Sequence, residues 1–191
     1  ALAHKVRVVT AASLFAGHDA AINVMRRIIQ QEGAEVIHLG HDRSVADVVN
    51  TAIQEDAQAI AVSSYQGGHV EYFTYMNELL RQQGAGHIKV FGGGGGTIVP
   101  DEIALLHSRG VSRIFSPEDG RRMGLVGVIR AMLAECDVPA SGAGITAIPS
   151  PLSPETPGAL ARLITALEAG ADAADEPSDL SRAVDASWEK L

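Results

Sequence analysis

Hydrophobic positions along most of this chain switch between two periods. Short apolar runs, which read as buried strands, are each followed by a stretch with apolar residues every three or four positions, the spacing of an amphipathic helix. Val6–Ala12 is the first run, and Ile22, Met25, Ile28 and Ile29 then mark a helix over Asp19–Glu32 that Gly33 ends. Glu35–Leu39 is the second strand, and Ser44 is placed to cap a helix over Val45–Glu55. Ala59–Ser63 leads through Tyr65-Gln66-Gly67-Gly68-His69 into a helix ending at Gln83, with Tyr72, Tyr75, Met76, Leu79 and Leu80 as its packing residues. His87–Phe91 runs into five consecutive glycines, Gly92 to Gly96. A short helix over Pro100–Ser108 has proline in its first turn and Asp101 and Glu102 at its positive end. Val111–Phe115 is the fifth strand, and a last helix runs from Arg121 to about Cys136.

Five strand–helix units in this order predict an α/β fold: a flavodoxin-like five-stranded parallel sheet with helices on both faces. The expected strand order is 2-1-3-4-5, with the switch point between the first and third strands. That domain is expected to occupy residues 4–137. Residues 138–157 shift to Pro, Ser, Gly and Thr and read as a linker. Residues 158–191 form a short C-terminal helical extension, with Leu160, Leu163, Ile164 and Leu167 as the stripe of its first helix and Trp188 as the only large anchor of its end. Such an extension is too small for a core of its own and is expected to dock on the domain or on a partner.

Composition narrows the function classes. The chain is 46% hydrophobic with 20 glycines, as an Ala/Val/Ile-rich domain with many tight turns would be. A formal net charge of −8 with only Lys5, Lys89 and Lys190 as lysines argues against nucleic acid, whose phosphates are met by clustered Lys and Arg. Arg26-Arg27 and Arg121-Arg122 fall within expected helices as solvated faces. Cys136 is the only cysteine, so neither an internal disulfide nor a cysteine metal cluster is available. No run of 18 apolar residues occurs, so no membrane span is expected, and the amino terminus shows no signal peptide. A cytoplasmic location follows as the expectation.

The candidate chemistry gathers at one edge. Ala16–Ala21, Ser63–His69, Gly92–Thr97 and Ser116–Gly120 all follow strands and so share the carboxyl edge of the sheet, where ligands of open α/β folds bind. Alone, each loop has an ordinary explanation in turn chemistry; together they point to a ligand site. His18, flanked by small residues, could offer a ring nitrogen to a large flat group. The glycines give a wall of backbone N–H groups without side chains. No Gly-Lys-Ser/Thr follows them, so this is no nucleotide P-loop. A phospho-accepting receiver would need an acidic cluster after the first strand, where Thr10-Ala11-Ala12 stands. A flavin site would need paired aromatics that are not evident.

Gly17-His18-Asp19, then Ser63-Ser64-Tyr65, then the glycines resemble the cobalamin-binding domain of coenzyme-dependent mutases, whose signature is Asp-x-His-x-x-Gly, Ser-x-Leu and Gly-Gly. The blocks SLFAGHDAAINVMRRI, EVIHLGHDRSV, AVSSYQGGHVEYF, VFGGGGG and SPEDGRRMGL are similar to the N-terminal module of fused isobutyryl-CoA-type mutases. Those chains join a cobalamin domain to a GTPase chaperone domain and a substrate-binding barrel. The resemblance covers roughly residues 5–136 and implies adenosylcobalamin as cofactor, a cobalt corrinoid bound with its lower base displaced from the metal. His18 becomes the lower cobalt ligand, which suits neutral imidazole and a borderline metal. Phe15, Ala16, Gly17, Asp19, Ala20 and Ala21 surround it, and Met25 lies one helical turn further on. Ser63 is implied to bond the displaced base, beside Ser64, Tyr65 (where the family often has leucine) and Gly67. Gly92, Gly93 and Gly94 flank the nucleotide tail, and Ser116 and Pro117 close its far end.

The resemblance further implies an isomerase module: a radical 1,2 rearrangement of an acyl-CoA of the isobutyryl- or methylmalonyl-CoA type. The barrel and GTPase are its partners, fused or separate, and a homodimer is compatible. This chain supplies no catalytic residue and alone is expected to bind cofactor without turnover. One position departs from the signature. Ala16 stands where the family has an aspartate that accepts the histidine's other N–H, and loss of such a partner typically costs about 10–100-fold in affinity or activity. Two alternatives stay open: a non-catalytic corrinoid carrier or sensor, and a degenerate cobalamin domain weakened by Ala16. His38 reads as a packed or edge histidine, His41 and His69 as loop histidines near the ligand edge, and His4, His87 and His107 as surface positions.

Overall fold

The computed structural model describes residues 1–13, 19–65, 67–140, 142, 156–173 and 182. Five strands, β1 (Arg7–Ala12), β2 (Glu35–Gly40), β3 (Ala59–Ser63), β4 (Lys89–Gly93) and β5 (Arg113–Phe115), form one parallel sheet in the order β2-β1-β3-β4-β5. The flavodoxin-like prediction holds. The helices are α1 (Asp19–Gln31), α2 (Val45–Gln54), α3 (His69–Gln82), α4 (Pro100–Ser108), α5 (Pro117–Cys136) and α6 (Pro157–Ala173).

Strand parity divides the core. Val9, Ile60, Val62, Val90 and Ile114 face α2, α3 and α4 and pack with Val48, Val49, Phe73, Met76 and Leu106. Val8, Ala59, Ala61, Phe91 and Phe115 point the other way, to Met25 and Ile29 of α1 and Ile129, Met132 and Leu133 of α5. Cys136 lies in this second cluster, fully buried, and burial pushes its thiol up to about 12, so it stays protonated and inert.

Helix starts follow the expected local chemistry. Ser44 Oγ accepts from Asp47 N at 3.1 Å while Asp47 returns to Ser44 N, a capping box at α2. Ser116 and Asp119 make the same exchange at α5. That helix therefore starts at Pro117 rather than Arg121. It is broken at Gly124, whose φ of 66° and ψ of 168° belong to a region essentially reserved for glycine.

Other differences are local. The fourth strand begins and ends two residues later than its hydrophobic run, because Gly92 and Gly93 pair with Val62 and Ser63 on one side and Ile114 and Phe115 on the other. Flanking strands on both sides supply the order that glycine lacks. Tyr75 is half exposed and does not pack α3, whereas Tyr72 is buried and its hydroxyl donates to Arg43 O at 3.0 Å. His107 is more than a surface residue: its Nε2 accepts from Ile114 N at 3.0 Å, satisfying a backbone donor of the edge strand.

The extension helix α6 packs on α2, and its Ala161, Leu163 and Ala166 are buried. The guanidinium of Arg7 ties it to the sheet by donating to Thr165 Oγ1 at 3.0 Å and to Glu168, while holding Glu35 at 2.9 Å. Buried Asp56 accepts from Gly142 N at 3.0 Å. Among the described residues no helix is long and apolar enough to cross a membrane.

Candidate functional site

At the carboxyl edge the side chains of the α1/α5 face become small. Across one row of paired residues stand Ala12, Ser63, Gly93 and Phe115. Two residues down the strands, Thr10, Ala61 and Phe91 form the next row. Ala61 lies in a central strand yet is only partly buried. The result is a slot of about 180 Å³ between the sheet and the two helices. Its walls are apolar: Ile22, Met25 and Ile29 from α1, and Leu125, Val128 and Met132 from α5.

Polar groups are few and sit at the open end. Ser63 is 5% exposed and lines the slot, and its hydroxyl has no hydrogen-bond partner among the described residues. A buried hydroxyl without a partner is costly, which makes it the group most in need of a ligand atom. Ser13 Oγ, by contrast, donates to Ser64 Oγ at 3.0 Å, and this buried pair locks β1 to β3 just behind the slot. The strand ends are squeezed further on. A Cβ on Gly94 would stand 2.1 Å from Ser64 O, so only glycine fits there. A Cβ on Gly93 would meet, among the described residues, only Phe115 O at 3.4 Å, and Gly93 lines the slot.

The far corner is built from charge. Asp119 accepts from Ser116 N and Ser116 Oγ, both at 3.0 Å, and pairs with Arg122 at 3.1 Å and Arg113 at 3.4 Å. The Ser116 N–H, with the two guanidinium groups, holds the Asp119 carboxyl below its ordinary range. Arg113 also lies 4.7 Å over the Phe115 ring. This corner fixes Ser116 and Pro117 at the slot rim.

Of the sequence-predicted residues, Met25, Ser63, Tyr65, Gly92, Gly93, Gly94, Ser116 and Pro117 converge on the slot. Ser64 lies behind it, while Ala20, Ala21 and Gly67 are not among its lining residues. Phe15, Ala16, Gly17 and His18 lie outside the described residues, and Asp19 opens α1. His69 is buried at the start of α3, with Nε2 2.8 Å from Glu102 Oε2. The Val99 N–H and then His69 hold the Glu102 carboxyl low. His41 pairs with Asp42 and His38 with Thr10 Oγ1 at 2.9 Å. Among the described residues no three His, Cys, Asp or Glu side chains converge as a metal site.

Comparison with known proteins agrees with this geometry. The family model for the B12 binding domain matches residues 6–125. The chain belongs to the B12-binding domain family. This B12-binding domain is 56% identical over 191 residues to a fused isobutyryl-CoA mutase of Geobacillus kaustophilus (strain HTA426), a match that covers 98% of the chain and 17% of that relative. It is 34% identical over 130 residues to the 2-hydroxyisobutanoyl-CoA mutase small subunit of Aquincola tertiaricarbonis, covering 68% of the chain and 93% of the subunit. The chain thus spans less than a fifth of the fused relative's length but most of the separate subunit's. A crystal structure of a cobalamin-binding protein from Desulfitobacterium hafniense DCB-2 superposes with a TM-score of 0.55 at 18% identity, over 68% of this chain and 58% of the other, a likeness of fold.

Sequence reasoning did not single out most of the slot wall. Ile22, Ile29, Phe91, Leu125, Val128 and Met132 read as ordinary core positions. The signal was present in strand parity: Thr10 and Ala12, Ala59, Ala61 and Ser63 put only small residues on one face.

Proposed function

We propose that this chain is the cobalamin-binding module of an adenosylcobalamin-dependent acyl-CoA mutase of the isobutyryl-CoA type. The carrying observation is the slot: an apolar cleft lined by Ala61 and Gly93, with the buried Ser63 hydroxyl in its lining and without a hydrogen-bond partner among the described residues. A displaced nucleotide base is flat, largely apolar and carries a ring nitrogen that Ser63 Oγ can donate to. The glycine edge lets the nucleotide tail approach the backbone, and Ser116 and Pro117 bound its far end.

In this reading His18 is the lower cobalt ligand and the base is held off the metal. The remaining residues of the expected cofactor site are Phe15 to Ala21 with Ser64 and Gly67. When bound, adenosylcobalamin supplies the radical chemistry that starts a 1,2 rearrangement of an acyl-CoA. This chain's share is to bind, orient and shield the tail. A substrate-binding barrel and a GTPase chaperone, fused or separate, complete the enzyme. Residues 4–137 are the binding domain, 138–157 the linker and 158–191 the extension.

Electron paramagnetic resonance of cob(II)alamin with natural-abundance and nitrogen-15-labelled protein tests the ligand. A triplet that becomes a doublet on labelling, and is lost in His18→Ala, is expected. An unchanged triplet means the cofactor keeps its own base, as a carrier or sensor of another kind would leave it. The absence of any bound signal means a degenerate site. Ala16→Asp is expected to tighten cobalamin binding by about tenfold or more, by restoring a carboxylate to orient His18. Equal affinities would show that this shell is not limiting.

A further inference from the structure

Tyr65 lines the slot, and the chain around it is built to seat its ring against Gly95. Ser64 carries the packing that fixes its position, since the Ser64 carbonyl lies against Gly94 too closely for any Cβ. One residue on, Gly95 turns with a φ of 57°, and a Cβ placed on it would lie 2.5 Å from Tyr65 Cε1, 3.3 Å from Cδ1 and 3.4 Å from Cζ. The ring therefore occupies the space in front of the Gly95 Cα. Gly96 is also left-handed at 98°, and a Cβ placed on it would lie 3.3 Å from Pro117 Cγ. Tyr65 and Pro117 both line the slot, and Tyr65 is half-buried. A tyrosine suits this place because its ring is a large apolar surface that can face an apolar cleft.

We propose that Tyr65 is a specificity-determining latch: seated on Gly95, its ring closes over the flat end of a nucleotide tail in the slot. It thereby favours the complete cofactor over corrinoids that lack the tail. The proposal rests on the reading that the tail occupies the slot. A latch of this kind acts on release, since the ring must leave Gly95 before the base can withdraw. Its effect should fall on ligands with a tail and spare those without.

Release rates and affinities of hydroxocobalamin and of cobinamide, the same corrinoid without its nucleotide tail, test this by visible absorption and stopped-flow chase. Wild type is expected to retain hydroxocobalamin far longer than cobinamide. Tyr65→Ala is expected to release hydroxocobalamin about tenfold faster, with cobinamide changed less than about twofold, a loss of the size one aromatic contact supplies. Tyr65→Phe keeps the ring and should release hydroxocobalamin more slowly than Tyr65→Ala. Gly95→Ala displaces the ring from its seat and should reproduce Tyr65→Ala, with far-ultraviolet circular dichroism confirming that both variants are folded. Unchanged hydroxocobalamin release in Tyr65→Ala, or an equal loss for both ligands, overturns the latch while leaving the slot reading intact. A wild type that does not distinguish the two ligands overturns the slot reading and the latch with it.

Discussion

Gly92 and Gly93 are adjacent in β4, face opposite sides of one sheet, and meet opposite surroundings. Toward α3, the space a Gly92 side chain would need is filled: a Cβ would lie 2.3 Å from Phe73 Cζ and 2.9 Å from Ile114 Cδ1. Toward α1 and α5, a Cβ on Gly93 would meet, among the described residues, only a carbonyl oxygen at 3.4 Å, and the slot begins there. The same contrast holds along the strands, where the closed face carries Val9, Ile60, Val62 and Val90 and the open face carries Thr10, Ala61 and Ser63. Fold and site therefore draw on the same strands and are separated by side-chain parity. One face supplies stability and the other leaves room for a ligand.

Substitutions on the two faces should part accordingly, and the largest effect belongs to the closed one. Ile60 is fully buried, so Ile60→Ala should cost about 2–5 kcal/mol in urea unfolding with little change in the cobalamin affinity of the folded fraction. Its neighbour Ala61 faces the slot. Ala61→Leu should leave stability within about 1 kcal/mol, since it fills empty space, yet abolish cobalamin binding. If Ala61→Leu binds cobalamin normally, the slot is not where the ligand goes. The glycine pair gives a finer version. Gly92→Ala overpacks against Phe73 and should lose about 1–3 kcal/mol. Gly93→Ala should stay within about 0.5 kcal/mol of wild type and instead weaken cobalamin. Equal stability losses from the two would erase the distinction between the faces.

Much of this was legible in the order of residues, for physical reasons that differ by region. Strand–helix alternation fixes a parallel sheet, and crossover handedness with five units leaves few strand orders, so the topology followed from pattern alone. Ser63, Tyr65, Gly93 and Ser116 could be placed near a ligand because each ends a strand on one edge. The depth of the site was harder to see. Met132 and Phe91 look like core in a sequence, because whether an apolar side chain meets another or meets a void depends on what the facing strands lack. The fourth strand's end was misjudged for a related reason: glycine weakens a strand by itself, but Gly92 and Gly93 are flanked by β3 and β5, and pairing overrides propensity.

The smallest expected effect concerns the corner that holds the slot rim. Asp119 receives the Ser116 N–H, the Ser116 hydroxyl, Arg113 and Arg122, and its carboxyl is held below the ordinary range, chiefly by the Ser116 N–H. A carboxylate whose folded value is depressed adds stability that is present above its unfolded value, near 4, and is lost as pH falls through the lower folded one. Asp119→Asn removes that contribution at every pH. The gap in urea midpoint between variant and wild type should therefore be widest at neutral pH and close as the solution is taken below about pH 4. The corner belongs to the open face, so the same variant should also release hydroxocobalamin somewhat faster at pH 7 by loosening Ser116 and Pro117. A gap in midpoint that stays constant from neutral to acid would show that the Asp119 charge contributes nothing, and that only the shape of the capping turn matters.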